Sequence, residues 1–158
     1  MQVAAKVRTC LWFNNNGHKA ATFYVSLIPN SILETTISND DDASPPIMIN
    51  FTLGGTPFSI LNGGPSHVPT EAASISVLTE DQEETDHLWE SLIANGGRPD
   101  QCAWLRDKYG VSWQIVPKAL PRMLMADNKD AAGRAMQAML QMTKIDINQL
   151  EKAFNGPD

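Results

Sequence analysis

The sequence predicts an α+β fold: two modules of similar element order, followed by a helical tail. Three observations carry that prediction. Short runs rich in β-branched and aromatic residues are separated by Gly, Asn and Pro signals. Two stretches with apolar residues at helical spacing each follow such a run. The resulting order is strand, helix, three strands, then strand, helix and at least two strands, and it repeats without obvious identity of residues. At 158 residues and 42% apolar content, the chain can form one compact domain or two small halves with a sizeable core.

Taken in order, Lys6 to Phe13 reads as a strand, ended by Asn14-Asn15-Asn16-Gly17. Ala20, Ala21, Phe23, Tyr24 and Leu27 have helical spacing, and Pro29 closes that helix. Ser31 to Ser38 alternates as an edge strand would, and Asn39 to Pro46, with Asp40, Asp41, Asp42 and two prolines, reads as an exposed loop. Consecutive aspartates cannot all converge on one ion, so the acidic run is read as solvated. Ile47 to Leu53 and Pro57 to Leu61 form a hairpin through Gly54-Gly55, and Asn62-Gly63-Gly64-Pro65 ends the half.

The second half opens with a strand over Ser74 to Leu78. Thr79 then reads as an N-cap, with Gln82 completing a capping box. Leu88, Trp89, Leu92 and Ile93 make one helical face, stopped by Gly96-Gly97. Cys102 to Leu105 and Val111 to Val116 read as strands around the turn 107–110. From about Asp130 to Phe154 the pattern predicts one long helix or two short ones, with Met136, Met139 and Met142 as packing residues.

Charge and composition exclude several classes. A net charge of −6 and a pI near 4.9 oppose nucleic-acid binding, which needs clustered Lys and Arg, while leaving room for a small anion held by local cations. No run of about 18 apolar residues occurs, so no membrane span is expected. The N-terminus enters a strand without a separate secretory pattern. Cys10 and Cys102 are too few for a disulfide scaffold and are expected as free thiols, so the expected location is cytoplasmic.

Five blocks together resemble one family. They are CLWFNNNGHKAATFYVSLIPNS, FTLGGTPFSILNGGP, DQEETDHLWESLIANGG, CAWLRDKYGVSWQIVP and AMLQMTKIDINQLEKAF. In that order they resemble the PhnB-like, or demethylubiquinone methyltransferase-like, branch of the glyoxalase, bleomycin resistance and dioxygenase superfamily, also called vicinal oxygen chelate proteins. The resemblance covers nearly the whole chain. It implies a single glyoxalase-like domain of paired βαβββ modules, their curved mixed sheets around a cavity, at 6–65 and 72–120, with a helical tail at 121–158. It also implies a homodimer. Metal-using relatives hold one divalent ion on four strands through His, Glu or Gln. The matching positions here are Thr9, a site near Ile60, Ala72 to Ser74, and Gln114. Only Gln114 could ligate, so neither metal nor cofactor is expected.

With Thr9 pointing into the cavity, strand alternation brings a defined set with it. Thr9, Leu11, Phe13, Asn50, Thr52, Phe58, Asn62, Ser74, Ser76, Ser112 and Gln114 line the cavity, while Cys10, Trp12, Phe51, Ile75, Val77, Trp113 and Ile115 pack under helices. This lining is polar, neutral and partly aromatic, suited to a small uncharged or weakly polar ligand. Cys102 joins the ligand-binding candidates. As a reactive thiolate it would need a cation or base, and Arg98 and Arg106 are nearest in sequence; otherwise it is a small buried hydrophobe. His67 offers a general base or a solvated loop side chain.

The expected function is therefore small-molecule binding in a protein lacking the usual metal ligands. The alternative is an enzyme of lyase, dioxygenase or isomerase type, with or without a metal, acting on a small organic substrate. Methyl transfer is disfavoured, because Asn62-Gly63-Gly64 is followed by Pro65 and Pro69 rather than by a helix.

Overall fold

The computed structural model describes residues 5–39 and 43–157. The expectation for the acidic run at Asp40, Asp41 and Asp42 lies outside the described residues. The chain forms two compact units, one ending at Pro69 and the other beginning at Thr70.

The first unit runs β1 (Thr9–Phe13), α1 (Gly17–Leu27), β2 (Ile32–Ile37), β3 (Met48–Leu53) and β4 (Thr56–Asn62). Its sheet has the order β1, β4, β3, β2, so β2 lies at an edge. β1 runs parallel to β4, and the other two pairings are antiparallel. The glycine turn sets Leu53 opposite Thr56, and counting back pairs Asn50 with Ser59 and Phe51 with Phe58. The Phe51 and Phe58 rings stack with centroids 5.6 Å apart.

α1 lies over β3 and β4, burying Ala20, Ala21 and Tyr24 above Ile49, Phe51 and Ile60. Small residues let the helix approach closely. A Cβ on Gly17 would stand 2.2 Å from Ile60 Cγ2, so the first turn requires glycine. Asn16 gives this helix no side-chain cap. Asn62 does so from β4: its Oδ1 accepts from Gly17 N at 2.9 Å, and its Nδ2 donates to the Pro46 carbonyl at 2.8 Å.

The second unit contains β5 (Ser74–Thr79), α2 (Gln82–Ile93), β6 (Arg98–Pro99), β7 (Trp104–Arg106) and β8 (Ser112–Pro117). The sheet order is β5, β8, β7, β6, with β5 and β8 parallel. α2 buries Leu88, Trp89 and Leu92 over β8 and β7, where Leu105, Trp113 and Ile115 are buried. α2 begins later than its sequence suggested. Asp81, not Thr79, is the N-cap, accepting from Glu84 N at 2.9 Å. Thr79 is instead the buried end of β5, hydrogen-bonded to Thr85 at 2.6 Å. Gln82 ties the tail down, accepting from Ile147 N and donating to the Ile145 carbonyl.

Cys102 is not a strand residue. Cys102 and Ala103 both adopt left-handed backbone, with φ of 57° and 73°, and β7 begins only at Trp104. Two consecutive left-handed residues break the pleat that the apolar pattern predicted. β6 is only two residues long and escaped the sequence reading.

The tail forms α3 (Ala119–Leu124), α4 (Lys129–Met139) and α5 (Ile147–Asn155). Leu120, Ala135, Ile145 and Leu150 are the centre of a separate cluster, joined by Met139, Met142 and Phe154. Met136 stays partly exposed at 39%. Among the described residues, no helix is long and apolar enough to cross a membrane.

Candidate functional site

Each sheet has one face under a helix and one facing away. In the first unit, the residues in register with Ile60 and Phe58 lie on the α1 side. These are Leu11 and Thr9 on β1 and Ile49 and Phe51 on β3, and the same parity takes Phe13 and Asn62. This corrects the predicted faces. Phe13, 3% exposed, and Phe58, 8% exposed, are core residues, and Asn62 is an α1 cap. Thr9 and Leu11 share that parity, so Cys10 and Trp12 take the far face in their place. Strand β1 has apolar side chains on both parities, and only pairing with β4 chooses between them.

Asn50 and Thr52 do lie on the far face, together with Ser59, which the sequence reading omitted. A polar chain runs across it. Ser59 Oγ donates to Asn50 Oδ1 at 2.7 Å, and Asn50 Nδ2 donates to Thr35 Oγ1 at 3.1 Å. Beside it, Glu34 accepts from Arg8 and from the Thr52 hydroxyl. The hydrogen bond from Arg8, then that from Thr52, holds the Glu34 carboxyl below its ordinary range. This face carries an ion pair, not the neutral lining expected.

In the second unit the register places Ser74, Ser76, Ser112 and Gln114 on one face, away from α2. Ile75, Val77, Trp113 and Ile115 have the opposite parity. Gln114 Nε2 donates to Ser74 Oγ at 2.9 Å. Trp104 pairs with Gln114, and Arg106 with Ser112, which adds an indole and a guanidinium to this face. Arg106 Nη2 donates to Glu71 Oε1 at 2.5 Å, and Arg98 Nη2 lies 3.8 Å from the same oxygen. Behind the face, buried Asp107 accepts from Trp113 Nε1 at 2.9 Å and from the Val111 and Tyr109 amides. Burial, reinforced by the Asp107 charge, raises the Tyr109 phenol above its ordinary value.

The donors do not suit the relatives' metal. Ile60 is apolar and buried beneath α1, Thr9 has its parity, and Gln114, whose Nε2 is turned to Ser74, offers one neutral amide oxygen with no partner ligand from those two positions. The far-face pair closest to the first two positions is Cys10 and Ser59. Among the described residues, no three His, Cys, Asp or Glu side chains are grouped to hold an ion. His18, His67 and His87 are all exposed. The His67 ring packs edge-on to Trp12, with centroids 4.7 Å apart. Cys10 is exposed and Cys102 half-buried, and neither forms a disulfide.

The glycine turn after β4 has a structural purpose. A Cβ on Gly63 would lie 2.3 Å from the Trp12 ring, and Trp12 Nε1 donates to the Gly64 carbonyl at 2.9 Å. No helix follows until α2.

The family described as 3-demethylubiquinone-9 3-methyltransferase matches residues 5–116. The chain belongs to this family. Solved structures agree with the membership. A Bacillus cereus protein described as a putative 3-demethylubiquinone-9 3-methyltransferase, PhnB protein, is 29% identical, with a TM-score of 0.65 over 72% of this chain and 99% of that one. A Pseudomonas aeruginosa protein is 18% identical, with a TM-score of 0.59 over 72% and 98% of the two chains. A genomically encoded fosfomycin resistance protein from Listeria monocytogenes is 15% identical, with a TM-score of 0.55 over 79% and 100%. These neighbours share the glyoxalase-like fold: two four-stranded mixed sheets, here followed by C-terminal helices. No curated protein matches the chain.

Proposed function

We propose that this PhnB-like protein binds a small organic molecule on a sheet face turned away from its covering helix, without the metal ligands its superfamily uses. One observation carries the reading. In the second unit the face combines a few fixed polar groups, Gln114 bonded to Ser74 and buried Ser112 beside Arg106, with the half-buried Trp104 indole, and the first unit adds the Asn50–Ser59 pair on its own far face. No His, Cys, Asp or Glu trio converges there among the described residues, so binding is favoured over turnover.

The turn after β4 does not suit the methyl transfer named in the family's description. Gly63 and Gly64 seat Trp12 instead of opening a helix toward a nucleoside donor. The exposed apolar side chains of edge strand β2, Ile32 at 49% and Ile37 at 54%, support a homodimer. The two unpaired cysteines support a cytoplasmic location.

The test is ligand-observed NMR with a panel of small neutral and acidic aromatic compounds, followed by the side-chain amide resonances of Asn50 and Gln114. Binders that shift these amides are expected, with Gln114→Leu weakening them. A panel whose binders disturb only other regions, or that contains none, refutes the reading.

A further inference from the structure

Two buried polar atoms on the far face of the second sheet lack a partner among the described residues: Arg106 Nε and Ser112 Oγ. Their residues are direct cross-strand partners, so the two side chains rise together from one face. Ser112 is only 2% exposed. A buried donor without an acceptor carries a desolvation penalty that an incoming acceptor removes.

The guanidinium is half used. Its Nε–H and Nη2–H lie along one edge and match the two oxygens of a carboxylate. Glu71 Oε1 takes Nη2 at 2.5 Å, and Nε is left over. Glu71 is itself 56% exposed and lies in an irregular segment ahead of β5, so water competes with the two arginines for its carboxylate. The chain thus shows which chemistry this seat accepts, and its own residue fills it incompletely. Trp104, two residues away on the same strand and face, is half-buried and offers an apolar surface beside the seat.

We propose that Arg106 and Ser112 form the carboxylate-binding subsite of a small-molecule site, with Glu71 as a built-in occupant that a carboxylate-bearing ligand displaces. The proposal rests on the small-molecule reading above and names the class of ligand: a compact molecule with one carboxylate and a flat apolar body. The carboxylate takes both edge donors of Arg106 and accepts from the Ser112 hydroxyl, while the body lies toward Trp104.

The experiment titrates the full chain with benzoate and follows the Arg106 Nε–H resonance by NMR. Benzoate is expected to shift that resonance, and Ser112→Ala to weaken binding severalfold. Glu71→Gln removes the internal competitor, and because exposed ion pairs are weak it should tighten benzoate about threefold to fivefold. Arg106→Lys, which keeps the charge and loses the fork, should lose most of the affinity. Unchanged affinity in Glu71→Gln, or an unmoved Arg106 resonance, overturns the proposal. So does inorganic phosphate binding more tightly than benzoate. If neutral compounds shift the Gln114 amide while benzoate leaves Arg106 untouched, the carboxylate assignment alone is wrong. If nothing in the panel shifts either group, both readings fall.

Discussion

Replacing Asp107 by alanine tests how the second sheet holds Gln114 and Ser112 in place. Asp107 is 2% exposed, and its carboxylate accepts from Trp113 Nε1, Val111 N and Tyr109 N. Tyr109 is half-buried, so water can replace its bond. The Val111 amide and the indole N–H are fully buried and would be left without this acceptor. Hydrogen bonds to charged groups contribute about 1.5–3 kcal/mol each, so losing two buried ones costs on the order of 4 kcal/mol. With a urea slope of about 2 kcal/mol/M, the unfolding midpoint should fall by about 2 M. Adding Trp113→Phe removes the stranded indole donor. The double variant should therefore be less destabilised than the sum of the singles by about 1 kcal/mol. A midpoint for Asp107→Ala within about 0.3 M of wild type, or strict additivity with Trp113→Phe, would refute the account.

Two further outcomes are expected. The Glu34 carboxyl titrates below its unfolded value because of Arg8 and Thr52. Its stabilising contribution is therefore fully present above the unfolded value of about 4.3 and lost as pH falls through the lower folded one. Glu34→Gln should flatten the acid limb of a stability-against-pH curve, and an unchanged limb would contradict the ion pair. Gly63→Ala places a methyl group against the Trp12 ring and should cost about 1–3 kcal/mol, with a changed near-ultraviolet circular dichroism spectrum. In a Trp12→Ala background the same change should be nearly neutral; an equal cost there would show that Trp12 is not the obstacle.

The architecture was legible because its signals are local: Gly54-Gly55 for the hairpin, the spacing of Leu88, Trp89 and Leu92 for α2, and the five blocks that mark the family. Facing was legible only where composition alternates. In β5 and β8, serine and glutamine alternate with isoleucine, valine and tryptophan, and the observed register has the same parity. β1 reads Thr-Cys-Leu-Trp-Phe, apolar on both sides, so nothing within it separates Phe13 from Trp12. Counting from the two-residue turn would have set Ser59 opposite Asn50 and moved Phe58 and Asn62 off that face. Arg8 with Glu34, and Arg106 with Glu71, were pairs beyond reach for another reason. They meet across 26 and 35 residues of chain, and an ion pair between distant side chains leaves no local pattern.

The left-handed pair at Cys102 and Ala103 also bears on the order in which the protein is made. Its amides donate to the Met142 and Thr143 carbonyls at 2.8 and 2.9 Å, and the Ala103 carbonyl accepts from Ile115 in β8. Non-glycine residues in that conformation cost about 1–2 kcal/mol each when nothing compensates them. Compensation comes from chain synthesised some forty residues later, reinforced by the hold of Gln82 on Ile145 and Ile147. On the ribosome, the turn into β7 therefore waits for its template. The strand pairings of the first unit close within residues 9–62 and need no later chain, whereas the second unit reaches its final form only after the loop between α4 and α5 has left the exit tunnel.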